Sequence, residues 1–301
     1  MNELVRTVSA WILKPNNRGR RNRMCPPGCL HSICETATRR GLLKAGFMLG
    51  LGAAAVTALP SVRPAEAAAP ISFTDTVDLS HALYEGFPTF SGEKWFTVEH
   101  LVTFAKDKVN LNRWTIVEHS GTHMDAPIHF SADGMTADLI PIHDLIVPVA
   151  VINIAARAAD NADTALTPDD IKAWEAKNGP LPEGCCVVMN SGWHKLVGDP
   201  KFSGRDDQKR NHTPGFHVEA AQFLISERKV KGIGVDTLSL DTGLNSGGTF
   251  PVHYEWLGSG RWGAECLANL DAIPESGARL FLGIPKVKGA TGGPTRAIAL
   301  L

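Results

Sequence analysis

The stretch VEHSGTHMDAPIHF, Val117 to Phe130, sets His119, His123, Asp125 and His129 within fourteen residues and interrupts them with Gly121 and Pro127. A helix would scatter these side chains, because positions six apart lie roughly 240° apart at about 100° per residue. An extended chain instead sends alternate side chains to one side. His119, Gly121, His123, Asp125, Pro127 and His129 all occupy odd positions. The preceding RWTIV (Arg113–Val117) is β-favouring, and Gly121 with Pro127 disfavours a helix. The spacing therefore predicts an extended segment that aims four polar groups at one side.

Two imidazoles and a carboxylate converging in this way suit a divalent ion, zinc or manganese. Three protein ligands leave coordination positions open to water, which is the catalytic rather than the structural arrangement. Such an ion lowers the pKa of its water to about 7 and polarises a carbonyl. His119, His123 and Asp125 are the ligand candidates, and His129 is the candidate general base and acid. His81, His100, His143, His194, His212 and His217 show no such clustering and read as ordinary hydrogen-bonded groups.

Outward from this stretch, VPVAVINI (Val147–Ile154), CCVVMNSG, GIGVD, RLFLGIP and TRAIAL read as strands, as does the start of DTVDLSHALYEGFP. LTPDDIKAWEAKNG reads as a helix: Thr167 caps, Pro168 suits the first position, Asp169 and Asp170 favour the positive end, and Gly179 stops it. HVEAAQFLISERK (His217–Lys229) has helical apolar spacing. Strands interspersed with a few helices predict one α/β domain with mixed β-sheets over residues 70–301.

Charge separates the two ends of the chain. Residues 1–69 hold ten Lys+Arg against three Asp+Glu, and residues 70–301 hold 20 against 28, so the first part is +7 and the body −8. An acidic body argues against a nucleic-acid partner. In the leader, Arg39 and Arg40 precede a Gly/Ala-rich apolar run, Ala45–Leu59, and then RPAEAAAP. That order reads as a signal peptide, and the run is shorter than the ~20 residues a spanning helix needs. TRRGLLK (Thr38–Lys44) resembles the twin-arginine export signal, which implies the export machinery as a partner and a periplasmic or extracellular destination. Cleavage is expected after Ala67 or Ala69, and translation is expected to start at Met24. Cys25, Cys29 and Cys34 leave with the leader, and Cys185, Cys186 and Cys266 remain as free thiols.

HSGTHMDAPIHF resembles the H-x-G-T-H-x-D-x-P-x-H signature of the metal-dependent cyclase family, which includes bacterial kynurenine formamidases and isatin hydrolases. VDLSHALYEGFP, VVMNSGW, GIGVDTLSLD, FPVHYEWLGSGRWGAECLANLDAIP and GGPTRAIAL resemble further family segments in the same order. The resemblance implies a swivelling β/β/α-like fold, homodimers or homotetramers, and hydrolysis of a C–N amide bond in a small aromatic substrate. It implies that Asp125 bridges two zinc ions, with His119 and His123 on the first and His253 and Glu265 on the second. Isatin hydrolase-like members imply a single manganese instead. Cys266 stands where the family usually has asparagine after the acid. Trp95, Trp114 and Trp193 are candidates for stacking on the substrate, with Phe96 and Trp256 behind them. An aryl formamide is the leading expected substrate, a cyclic amide the next, and a lactone, an ester or non-catalytic metal binding the remaining readings.

Overall fold

The computed structural model describes residues 72–301. The export signal, its cleavage site, the Met24 start and the leader cysteines lie outside the described residues. Along the described chain run β1 (Thr76–Asp78), β2 (Phe96–Val102), β3 (Leu111–Ile116), β4 (His123–Asp125), β5 (Ile146–Asn153), β6 (Ala165–Leu166) and β7 (Cys186–Asn190). They are followed by β8 (Gly215–Phe216), β9 (Gly232–Val235), β10 (Trp262–Glu265), β11 (Arg279–Gly283), β12 (Gly292–Pro294) and β13 (Arg296–Leu300). The helices are α1 (Phe104–Asp107), α2 (Ala155–Asp160), α3 (Pro168–Asn178), α4 (Val218–Glu227) and α5 (Pro251–Gly258). Among the described residues no helix is long and apolar enough to cross a membrane.

Nine strands form one mixed sheet in the order β1-β13-β11-β5-β7-β9-β10-β4-β12. Its middle, β5, β7, β9 and β10, is parallel. Antiparallel β11, β13 and β1 extend one side, and antiparallel β4 and β12 the other. This is the expected α/β architecture with mixed β-structure.

Parallel strands buried on both faces explain why CVVMN and GIGV are apolar without alternation. Successive side chains still part company. Cys186 and Val188 enter one core with Val147, Val149 and Val151, while Val187 and Met189 enter the other with Ala150 and Ile152. The second core is closed by helices through Ile171 and Trp174 of α3, Leu224 of α4, and Val252, Trp256 and Leu257 of α5.

Local signals place the helices. The Asp170 carboxylate accepts from the Thr167 N–H and hydroxyl, both at 2.8 Å, and so holds the start of α3. Trp256 is a core residue rather than a substrate contact: it is fully buried and donates Nε1–H to Trp262 O at 2.8 Å. Its truncation to alanine would cost about 3–5 kcal/mol and would loosen α5, the helix that carries His253. The β2–β3 hairpin stands apart from the main sheet as a two-stranded unit, and its base feeds the His119 loop through Val117 N–H to Trp95 O at 3.0 Å.

Candidate metal centre

The odd-residue alternation survives only over β4. His123 and Asp125 leave the strand on the same face, as a two-residue period requires. His119 instead sits in the turn before β4, and His129 ends the short 3-10 turn Pro127–His129. The reason is local. Gly121 adopts φ +64°, a left-handed bend that breaks the strand, and Pro127 starts the following turn. The four side chains therefore gather by two turns around a three-residue strand, not by one extended run.

Sheet register brings the rest. β4 lies between β10 and β12, with His123 opposite Glu265 and Asp125 opposite both Gly263 and Gly292. Directly opposed residues on antiparallel strands share a face, so Glu265 meets His123. The start of α5 supplies His253. Asp241 accepts the N–H groups of Val252 (2.8 Å) and His253 (3.1 Å) and the His253 ring at Nδ1 (2.7 Å), which turns Nε2 toward the strands.

His119 Nδ1 lies 2.7 Å from Asp125 Oδ1. His123 Nε2 is 3.3 Å from Asp125 Oδ1 and 3.3 Å from Glu265 Oε2. His253 Nε2 is 3.2 Å from Glu265 Oε1 and 3.7 Å from Asp125 Oδ2. Ligand atoms fall into two groups that share Asp125: His119, Asp125 and His129, and His123, Asp125 and Glu265, each within 4.8 Å of one another. His119 and His123 both face Asp125 Oδ1, whereas His253 faces Asp125 Oδ2 and Glu265 Oε1, and strand register also brings His123 beside Glu265. His129 stacks on His119 with ring centroids 3.8 Å apart.

The donor set fits a cation. Asp125 is 1% exposed and Glu265 4%, and two buried carboxylates are costly without positive charge. His123 Nε2 and Asp125 Oδ2 are buried with no hydrogen-bond partner, although both face the cluster. Burial opposes charge on His123 and His253, yet their neighbouring carboxylates and the Asp241 hydrogen bond push both pKa values up to about 10. Asp125 is held well below the ordinary range, since His119 and His123 outweigh its burial. His129 goes the other way. Burial, reinforced by His119 and His253 and only partly offset by Asp125 and Glu265, pushes its pKa down to about 4, so it is neutral at pH 7.

Beside the cluster lies a cavity of about 200 Å³ lined by Pro88, Phe90, Trp95, Phe130, Leu238 and Phe250, together with Ser239 and Cys266. Two clefts of about 730 and 700 Å³ lie elsewhere, but neither is lined by any of the carboxylates and imidazoles that converge here, so chemistry rather than size selects the smaller cavity. Trp95 lines it as expected. Trp114 and Trp193 do not. Trp114 is 68% exposed on β3, its ring edge-on to the buried Phe96. Trp193 is packed with Phe87 and Phe202 and donates Nε1–H to Phe202 O at 3.0 Å, which fixes it in a separate apolar cluster. Phe90, Phe130, Phe250 and Asp241 were not singled out from sequence, although Phe130 follows the motif and Asp241 closes the GIGVDTLSLD segment. The question raised by Cys266 is answered by the backbone: it lies at φ +52° and accepts the Thr122 hydroxyl at its carbonyl, and Glu265 takes its hydrogen bond from Leu240 N–H instead.

Residues 77–242 match the Cyclase family. The chain belongs to the Cyclase family. Isatin hydrolase of Roseibium aggregatum is 39% identical over 197 residues, spanning 62% of this chain and 74% of that one. Kynurenine formamidase of Bacillus cereus is 27% identical over 171 residues, 56% of this chain and 71% of that one. Among solved structures, isatin hydrolase A from Labrenzia aggregata superposes with a TM-score of 0.71 at 34% identity, covering 75% of this chain and 93% of that one. This Cyclase-family member is an enzyme, a hydrolase.

Proposed function

We propose that this Cyclase-family hydrolase opens the C–N amide bond of a small, neutral, aromatic cyclic amide, of the kind that isatin hydrolases are named for. The carrying observation is the cluster of under-partnered buried ligand atoms beside a small cavity whose lining holds aromatic rings and no lysine or arginine. Phe90, Trp95, Phe130 and Phe250 offer a ring compound aromatic walls, and the lining offers a substrate carboxylate no lysine or arginine to pair with.

His119, His123, Asp125, His253 and Glu265 would hold one or two divalent ions, zinc or manganese. Such an ion would supply Lewis-acid polarisation of the carbonyl and would make a nearby water more acidic. His129, neutral at pH 7, takes a proton from the attacking water as its oxygen adds to the carbonyl carbon. The C–N bond then breaks, and the same imidazolium returns the proton to the leaving nitrogen, so that an amine and a carboxylic acid result, the acid releasing its remaining proton to solvent. The aromatic walls exclude bulk water and hold the amide plane against the cluster.

Hydrolysis of an aryl formamide, as in kynurenine formamidases, is the second reading. It is favoured by the sharing of Asp125 between two ligand groups, which suits a pair of ions. Purified protein assayed with isatin and with N-formylkynurenine separates the two, with faster turnover of isatin expected. Inactivity on both defeats both readings, and elemental analysis distinguishes one ion from two and zinc from manganese. Export through the twin-arginine pathway, with residues 70–301 as the mature enzyme, belongs to the same proposal. Secreted material that begins near Met1 would overturn that part.

A further inference from the structure

Each of the three histidines proposed as ligands, His119, His123 and His253, is held from behind at the nitrogen away from the centre, and the partners differ. His253 is held by Asp241 at Nδ1. His123 is held at Nδ1 by the Gly121 carbonyl at 2.8 Å, which accepts and cannot donate. His119 is held at Nε2, 3.0 Å from the hydroxyl of Thr291. That hydroxyl is already committed: it donates to Glu118 Oε2 at 2.5 Å, and the Thr291 N–H donates to the same oxygen at 3.1 Å.

We infer that Glu118 and Thr291 are positioning residues that fix the tautomer of His119, so that it serves the centre through Nδ1 while His123 and His253 serve it through Nε2. A threonine hydroxyl has one proton. Because Glu118 receives it, the Thr291 oxygen accepts from His119, and Nε2 carries the hydrogen. With a cation bound, the Nδ1 lone pair would be left facing it beside Asp125 Oδ1, 2.7 Å away, whereas without one a hydrogen on Nδ1 bridges the two.

The backbone is shaped for the same contact. Thr291 precedes β12, whose Gly292 pairs with Asp125, and a Cβ at Gly292 would sit 2.7 Å from His119 Cε1 and 2.4 Å from Met124 O. Only glycine lets this segment approach closely enough to put the threonine against the ring. Glu118 and Thr291 lie 173 positions apart, so the contact also ties the motif loop to the end of the chain. Neither residue belongs to the H-x-G-T-H-x-D-x-P-x-H pattern.

The inference rests on the metal reading above, and its test keeps the two separable. Zinc affinity of the full chain is measured by competition with a chromophoric chelator for wild type, Thr291→Val, Thr291→Ser and Glu118→Ala. Imidazole ¹⁵N spectra of the zinc-loaded wild type identify the coordinating nitrogen of each histidine. Expected are a His119 signal with hydrogen on Nε2, an affinity loss of about 10–100-fold in Thr291→Val and in Glu118→Ala, and rescue to within about threefold by Thr291→Ser. Wild-type affinity in Thr291→Val, or His119 coordinated through Nε2, overturns the inference. If Thr291→Val does not fold, the partly exposed Glu118→Ala carries the test with the same two outcomes. A wild-type chain that binds no divalent ion defeats the functional reading itself.

Discussion

The loop after β9 carries Asp236 at one end and Asp241 at the other, and the two aspartates lead into two buried histidine–carboxylate clusters. Around Asp236, both carboxylate oxygens are fully used. Oδ1 accepts the Ser191 N–H (3.1 Å) and hydroxyl (2.6 Å), and Oδ2 accepts the His194 N–H (3.3 Å) and Nδ1–H (3.1 Å). The nearby His81 leaves Nε2 unpartnered, but that is an uncharged nitrogen on a ring whose pKa burial pushes down. Around Asp125 the balance is reversed. One carboxylate oxygen and one imidazole nitrogen are buried without partners, and a second carboxylate, Glu265, faces the same space. Composition alone does not distinguish these clusters. The supply of donors does: four donors on Asp236 make a closed strut, and a shortage of hydrogen-bond donors to the buried Asp125 leaves room for a cation.

Breaking the receptor should have the largest effect. Asp125→Asn removes the carboxylate shared by both ligand groups, and metal affinity should fall by more than the ~100-fold that loss of an outer partner costs, with activity lost alongside. Retention of stoichiometric metal, read by elemental analysis, would contradict the role given to Asp125.

His129→Gln should leave metal content intact while turnover drops by about 10²–10⁴-fold. A loss of metal in this variant would move His129 from proton carrier to ligand, a reading its proximity to His119 and Asp125 makes worth checking.

Metal removal should expose the charge deficit as a pH dependence. His123 and His253 have folded pKa values raised to about 10 from an ordinary 6.5. Their protonation stabilises the metal-free fold fully below about pH 6.5, and that stability is lost as pH rises through about 10. Thermal melts of chelated protein should therefore shift downward between pH 7 and 10, and added zinc should flatten the curve. An unchanging midpoint without metal would rule this out.

The smallest effect belongs to the closed cluster. Asp236→Asn loses acceptor capacity against four donors and should cost about 1–3 kcal/mol in urea unfolding, while metal content and turnover stay near wild type. A selective loss of turnover without a loss of stability would show that the two clusters are not separate in function.

Much of this was legible in the order of residues. The helix start at Thr167-Pro168-Asp169-Asp170 and the buried runs of β5, β7 and β9 follow from capping chemistry and strand period, which act between near neighbours. The common face of His123 and Asp125 follows from the same period. The aromatic assignments were not legible. Trp95 and Trp193 look alike in sequence, and only packing decides that one lines the cavity while the other hydrogen-bonds Phe202 in a core.

By itself, then, the sequence determined that His119, His123, Asp125 and His129 would lie close together, since fourteen residues cannot separate them far. It also determined helices α3 and α4, strands β1, β5, β7, β9, β11 and β13, and the family the chain belongs to. Only the tertiary structure decided that Glu265 would stand opposite His123, that α5 would deliver His253 with Asp241 behind it, and that Thr291 would reach His119. The physical reason is range. Period and capping are settled by neighbours along the chain, whereas strand register and the supply of donors to a buried charge are settled by segments more than a hundred residues away.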